Sequence, residues 1–287
     1  MRQAKFCAST PHHVTALFDP SINPANPLLS GSRGVGLAVE PRLVVCENED
    51  WSESIESLGP TARRVAELLN VANATVRYVR PLPPGVGFAV SGATATAVAL
   101  ALGSSRGFNV LRSLQIAHTA EVLEGSGLGD VLAISCGIGL VFRFKAGAPG
   151  VGEVDCAQVP SSVAVLAIAF RVMETREFLR VFAQSEVSQH ARARLEAILG
   201  NPTLDSFIEN LSRFNAETGI LRKTLGESLS ETVEKLPGLI VAYVKKGVLA
   251  ILLERDRVSD AYEALRRHNM KVYLLEPSRS SLQIWSS

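Results

Sequence analysis

Between Gly92 and Gly103 the chain carries almost nothing but Ala, Val, Leu and Thr. A run with no polar face is expected to form a helix buried on all sides. Burying a whole helix requires a large core. The 287 residues, 47% hydrophobic and 20% charged, allow one. At roughly 100–200 residues per domain the length points to two domains.

Charge excludes some function classes. Lys+Arg number 29 and Asp+Glu 28, for a formal net charge of +1. Binding to nucleic acid or a membrane surface needs a clustered positive field, which is absent here. Basic residues gather only locally, as at His190–Arg194 and Arg266–His268, both in helical patterns that read as solvated faces. The most apolar long stretch, Leu239 to Leu253, is interrupted by Lys245 and Lys246. It falls short of the ~20 apolar residues that span a bilayer. Met1–Thr10 lacks the apolar stretch of a signal peptide. Cys7, Cys46, Cys136 and Cys156 form no CxxC pair. They are expected to be thiols without disulfide staples, in a reducing cytoplasm.

The pattern along the chain suggests strands at Phe6–Ser9, Val14–Phe18, Gly36–Glu40, Leu43–Cys46, Thr75–Val79 and Leu140–Lys145. Asp19–Ser32 and Pro81–Gly87 read as loops, and Gly31–Gly36 as a glycine turn. Helices are expected from Pro60 and over Val110–Leu123. Gly-rich Ala146–Gly152 is the expected turn region between domains, and beyond it charge rises and helices lengthen. Strands at Val163–Phe170, Leu239–Val244, Val248–Leu253 and Lys271–Glu276 enclose helices at Glu174–Ala183, Val187–Leu199, Thr203–Thr218, Glu227–Lys235 and Ser259–His268. Stripped of extra helices, the order is β-α-β-β-α-β, which is ferredoxin-like.

Three groups of residues are candidates for chemistry. First, Pro84, Gly85, Val86, Gly87, Phe88, Ala89, Val90, Ser91, Gly92 and Ala93 lead into the apolar helix. Glycines let a backbone approach a ligand, and a helix start offers free N–H groups to a phosphate. The segment lacks the Walker A, dinucleotide and nucleophile-elbow spacings. By spacing alone it also reads as a glycine turn capped by Ser91. Second, Leu111, Leu114, His118 and Glu121 share a helix stripe, and Asp130 ends the glycine-rich stretch Gly125–Asp130. A histidine and a carboxylate on such a stripe are costly unless paired or ion-bound. Two carboxylates and a hydroxyl are the oxygen donors Mg²⁺ prefers. Glu121 equally reads as a surface acid, and Asp130 as a helix cap. Third, Arg143 alternates with Phe142 and Phe144. It reads either as a carboxylate clamp or as a solvent-facing arginine. His13 and the Gly31–Gly36 segment are further candidates for lining a pocket.

Together these segments resemble the GHMP kinases, and within them the archaeal pantoate kinase family. The resemblance rests on PHHVTALF (11–18), GSRGVG (31–36), GFAVSGA (87–93), AHTAEV (117–122), GLGDV (127–131), RFKAGAPGVG (143–152), ETREFL (174–179) and AETGIL (216–221), in that order. It implies a two-domain α+β fold. Residues 1–157 would form a ribosomal protein S5 domain 2-like ATP-binding domain, and residues 158–287 a ferredoxin-like domain. It implies a cytoplasmic ATP- and Mg²⁺-dependent enzyme, expected to be a homodimer, that phosphorylates the small molecule pantoate on the route to coenzyme A. Pro84–Ala93 would bind ATP, and Ser91 and Glu121 would hold Mg²⁺ and the triphosphate. Asp130 would orient or deprotonate the attacking hydroxyl. His118, Arg143 and Thr175 would bind pantoate, with Ser32 and His13 as weaker candidates. The alternatives are a GHMP kinase for a homoserine- or mevalonate-like acid, and an inactive GHMP-fold binding protein. Four departures stand out. Ala89 replaces a loop glycine, and Cys136-Gly137 replaces a glycine pair. One extra residue precedes Arg143, and Lys246-Gly247 is all that remains of a C-terminal glycine loop.

Overall fold

A computed structural model of the chain describes residues 5–47, 53–172 and 186–286. Two long antiparallel strands form its spine, β1 (Phe6–Ser21) and β2 (Gly31–Glu47). Each replaces two shorter strands expected from the sequence. β1 runs straight through Pro11, where a register shift between Thr10 and His12 accommodates a residue that cannot donate to a ladder. The expected glycine turn at Gly31–Gly36 is instead the start of β2. Its glycines serve close packing. At Gly34 a Cβ would collide with the Arg143 guanidinium and lie 2.8 Å from the Leu17 carbonyl oxygen.

β3 (Glu53–Ser54) pairs with β4 (Thr75–Val79), which pairs with one end of β2. β5 (Leu140–Lys145) pairs with the other end and carries β6 (Glu153–Ala157). The terminal β11 (Gln283–Ser286) returns to pair with β1. Four helices are interspersed with these strands in the chain: α1 (Pro60–Leu68), α2 (Val90–Ser104), α3 (Val110–Glu124) and α4 (Asp130–Cys136). α2 is the apolar run, buried at every position from Gly92 to Gly103. It packs on both spine strands and against α1, α3 and α4. α3 begins where the Asn109 side chain accepts a hydrogen bond from the Arg112 amide, and it stops at Gly125 in the left-handed conformation.

In the second half, β7 (Val163–Ala169), β8 (Leu239–Lys245), β9 (Val248–Glu254) and β10 (Val272–Pro277) pair antiparallel in the order β10-β7-β9-β8. The helices are α5 (Val187–Gly200), α6 (Leu204–Thr218), α7 (Ile220–Leu225), α8 (Glu227–Glu234) and α9 (Val258–Arg266). In chain order these strands run 4-1-3-2, the ferredoxin-like arrangement expected. β7 shows why both its faces are apolar. Val163, Val165 and Ala167 pack with Leu195, Phe207 and Leu211, while Leu166 and Ile168 pack with Leu229, Val233 and Leu265. The first of these cores also takes in Val14, Leu37 and Val39 from the spine. The end of β10 pairs with β2 at Glu276–Glu40 and Pro277–Val39. The expected helix at Glu174–Ala183 lies outside the described residues.

The expectation of unstapled cysteines is corrected. Cys7–Cys46 joins β1 to β2, and Cys136–Cys156 joins the end of α4 to β6. The partners are 39 and 20 residues apart in sequence, so local spacing did not reveal them. Among the described residues no helix is long and apolar enough to cross a membrane.

Candidate active site

The loop before α2 ends at Ala89, which holds the left-handed conformation with φ of 54°. No side chain caps the helix, and Ser91 lies inside its first turn, so the capped-turn alternative does not describe this loop. Val86 and Phe88 are buried in the core and anchor the loop. Gly85, Gly87, Ala89 and Ser91 face a cleft of about 310 Å³. Across this cleft lies the β8–β9 turn, whose Gly247 amide donates to the Val86 carbonyl at 2.9 Å.

A smaller chamber of about 30 Å³ adjoins the cleft. Phe18, Ser32, Leu128 and Arg143 are in its wall. Thr15, Asp130, Lys245 and Lys246 line both spaces, so the two meet at Asp130.

The acids occupy different environments. Glu121 is fully buried, not on the surface. Its Oε2 accepts a long bond from the Val131 amide at 3.5 Å, and its Oε1 is buried without a hydrogen-bond partner. Burial, then the neighbouring Asp130 charge, raises its pKa to about 8. Asp130 opens α4, with its side chain 25% exposed. Burial alone would raise its pKa. The His13 contact at 3.6 Å and the charges around it, Arg143 among them, outweigh burial and hold it at about 2. Two carboxylates pushed apart in this way suit different tasks. His13 is itself lowered to about 4, chiefly by burial, and so is neutral near pH 7. Its Nδ1 also lies 3.2 Å from the Thr15 hydroxyl.

Arg143 is not solvent-facing: it is 1% exposed. Nε donates to the Ser32 carbonyl at 3.2 Å and Nη2 to the Ser32 hydroxyl at 3.4 Å, while Nη1 is buried without a partner. A buried guanidinium with a spare donor, at the wall of a chamber, can accept a carboxylate.

The donor set also fits a cation shared with phosphate. A Cβ on Gly92 would lie 2.8 Å from both Glu121 Oε1 and Asp130 Cβ, and one on Gly127 would collide with Glu121. The glycines thus leave room at an unpartnered carboxylate oxygen. Among the described residues no His, Cys, Asp or Glu completes a three-ligand cage there. Mg²⁺ commonly takes only one or two carboxylates, with phosphate and water filling its shell.

Residues 57–138 match the model of the GHMP kinases N terminal domain. The chain is 29% identical over 268 residues to the pantoate kinase of Thermococcus kodakarensis, covering 87% of this chain and 88% of that one. It is 25% identical over 273 residues to the pantoate kinase of Methanocaldococcus jannaschii, covering 89% and 96%. A solved phosphotransferase related to the CoA biosynthesis pathway superposes with a TM-score of 0.80 at 25% identity, covering 98% of each chain. The chain has the GHMP kinase fold.

Ser91, Asp130, Ser32 and Arg143 line the two adjoining spaces, and Glu121 and His13 are buried beside Asp130 without lining either. His118 does not line either one. It is buried, and its Nε2 donates to the Ser30 carbonyl at 2.9 Å and contacts the Pro27 carbonyl at 3.2 Å. Carbonyl oxygens only accept, so the proton sits on Nε2. His118 therefore anchors the segment leading into Ser32. Leu111 departs from its expected stripe and is 47% exposed. Thr175 lies outside the described residues. Lys245 and Lys246 were not anticipated as site residues. Their one signal in the sequence was their place where a C-terminal glycine loop was expected.

Proposed function

We propose that this protein is a GHMP kinase that transfers the γ-phosphoryl group of ATP to the 4-hydroxyl of (R)-pantoate, giving 4-phosphopantoate for coenzyme A synthesis. The observation that carries this reading is the meeting of the phosphate-loop cleft with a chamber walled by a buried arginine, the two joined at Asp130. The similarity to curated pantoate kinases over most of the chain supports the choice of acid.

In this reading the triphosphate lies at the start of α2, where free amides and the helix dipole favour anions. Ser91 and Glu121 hold Mg²⁺, which neutralises phosphate charge when bound. The pantoate carboxylate pairs with Arg143, and its geminal methyls meet Phe18 and Leu128. The 4-hydroxyl then faces Asp130. Its oxygen forms the new bond to the γ-phosphorus as the bond to the β–γ bridging oxygen breaks. ADP departs, and the hydroxyl proton passes to Asp130. His13, neutral and with its Nδ1 3.6 Å from the Asp130 carboxylate, keeps that carboxylate aimed. Catalysis of this kind rests on positioning and charge neutralisation.

An ADP-release assay with pantoate beside pantothenate, homoserine and mevalonate tests the assignment. Pantoate should support turnover far above the others. Turnover on homoserine or mevalonate alone would reassign the substrate. Failure to bind Mg·ATP in calorimetry would favour an inactive binding protein.

A further inference from the structure

One charged element of the site has no role in the transfer described above. It is the β8–β9 turn, where Lys245 and Lys246 line both spaces. The other described lining residues come from the first 143 positions, so the second half of the chain enters the site through this turn. Its backbone is held firmly. The Gly247 amide donates to Val86, and the Gly247 carbonyl accepts from the Phe170 amide at 2.9 Å. At Gly87 a Cβ would lie 2.6 Å from the Lys245 carbonyl, so the turn rides directly on the phosphate loop.

The two lysines differ in setting. The Lys245 ammonium sits 3.5 Å from the centroid of the Phe18 ring, on the acceptor side. Lys246 interacts electrostatically with Asp130 and Glu121, the two acids flanking the junction. It also holds φ of 54°, a left-handed conformation that glycine would adopt without steric cost. A side chain kept at such a position points to a use for it.

We propose that Lys246 contacts the phosphoryl group in transit between ATP and the acceptor hydroxyl, supplying positive charge from the second half of the chain. The inference rests on the kinase reading. As the hydroxyl oxygen bonds to the γ-phosphorus and the bridging oxygen leaves with ADP, negative charge spreads over the equatorial oxygens. A cation fixed at the junction stabilises that charge, in the manner of the cationic clamps of other phosphoryl transferases.

The test uses the full chain with three variants, Lys246→Met, Lys246→Gly and Lys246→Arg. Lys246→Gly suits the backbone and should melt no lower than wild type. Both Lys246→Met and Lys246→Gly should lose about 100-fold or more in kcat. Their KM for pantoate should stay within about threefold, and Lys246→Arg should recover part of the loss. Calorimetry supplies a readout independent of turnover. Wild type should bind a non-hydrolysable ATP analogue more tightly than ADP, and Lys246→Gly should lose that preference. Normal kcat in Lys246→Gly, or equal weakening of analogue and ADP, overturns the role of Lys246 and leaves the kinase reading standing. Wild-type protein that binds neither nucleotide overturns both.

Discussion

The loop on the proposed nucleotide side of the site is one contiguous segment, Pro84–Ala93, at the start of one helix. The acceptor chamber draws Thr15 and Phe18 from β1, Ser32 from β2, Leu128 from a loop and Arg143 from β5. The first is made by local backbone geometry, which the chain imposes on itself. The second exists only because β2 pairs with β1 on one side and β5 on the other, setting Gly34 opposite Arg143. A lesion in the chamber should therefore affect the acceptor and spare the nucleotide. A lesion in the loop should do the reverse.

Asp130 stands where the two meet, so its loss should have the largest effect. Asp130→Asn keeps the shape and removes the proton acceptor. General bases contribute roughly 10²–10⁴-fold. We expect kcat to fall by about 10³ or more while calorimetry still detects Mg·ATP. Turnover near wild type would remove Asp130 from the chemistry.

Arg143 sharpens the comparison next. A charge-assisted contact contributes about 1.5–3 kcal/mol, so Arg143→Ala should raise KM for pantoate roughly 10- to 150-fold with KM for ATP nearly unchanged. Ser91→Ala should show the opposite split. If both variants weaken both substrates equally, the division into two chambers fails. Arg143→Lys should rescue poorly, because a lysine cannot span the Ser32 carbonyl and a carboxylate with one planar fork.

The same contrast explains what could be read in advance. The helix Val90–Ser104, the strand Leu140–Lys145 and the ferredoxin-like order of the second half each follow from patterns within a few dozen residues. Arg143 was ambiguous because alternation tells which residues share a face but not whether that face meets solvent. Here Ser32, Gly34 and Gly129 close over the Arg143 guanidinium. Gly31–Gly36 looked like a turn because glycine signals both sharp bends and close approach, and only the Arg143 guanidinium beside Gly34 decides between them. His118 was correctly set on a helix stripe with Glu121, but its partners lie 88 and 91 residues away. Neither disulfide is local. Lys246 entered the sequence reading as a missing glycine, and no pattern within its hairpin indicates that the turn lies on the phosphate loop.

Beside the site, pH should reveal a buried group that does not take part in catalysis. His12 is fully buried, and its Nδ1 donates to the Pro41 carbonyl at 2.9 Å. Burial, the largest influence, lowers its pKa from 6.5 to about 4. The unfolded chain takes up a proton as pH falls through the ordinary value, while the folded chain resists until about pH 4. Stability should therefore fall as pH drops across that interval, by about 3 kcal/mol, and His12 should contribute no further loss below it. His12→Asn keeps a donor near the position of Nδ1 and removes the titration. Denaturant midpoints measured across the interval should be flatter in that variant. An unchanged slope would assign the loss to other groups.

The smallest effect belongs to the loop, and it separates local strain from assembled packing. Ala89 holds a left-handed backbone without a side-chain cap, at a cost of about 1 kcal/mol relative to glycine. Its methyl also borders the cleft. Ala89→Gly should relieve the strain and open the approach to the phosphates, while giving back part of the gain through a looser unfolded chain. The net result should be a rise in unfolding free energy of under about 1 kcal/mol and a modest fall in KM for ATP, with KM for pantoate unmoved. A loss of stability would mean that the Ala89 methyl packs against the first-half core more strongly than its backbone is strained. The loop would then depend on tertiary packing as the acceptor chamber does, and the contrast between the two sides would narrow to the identity of their ligands.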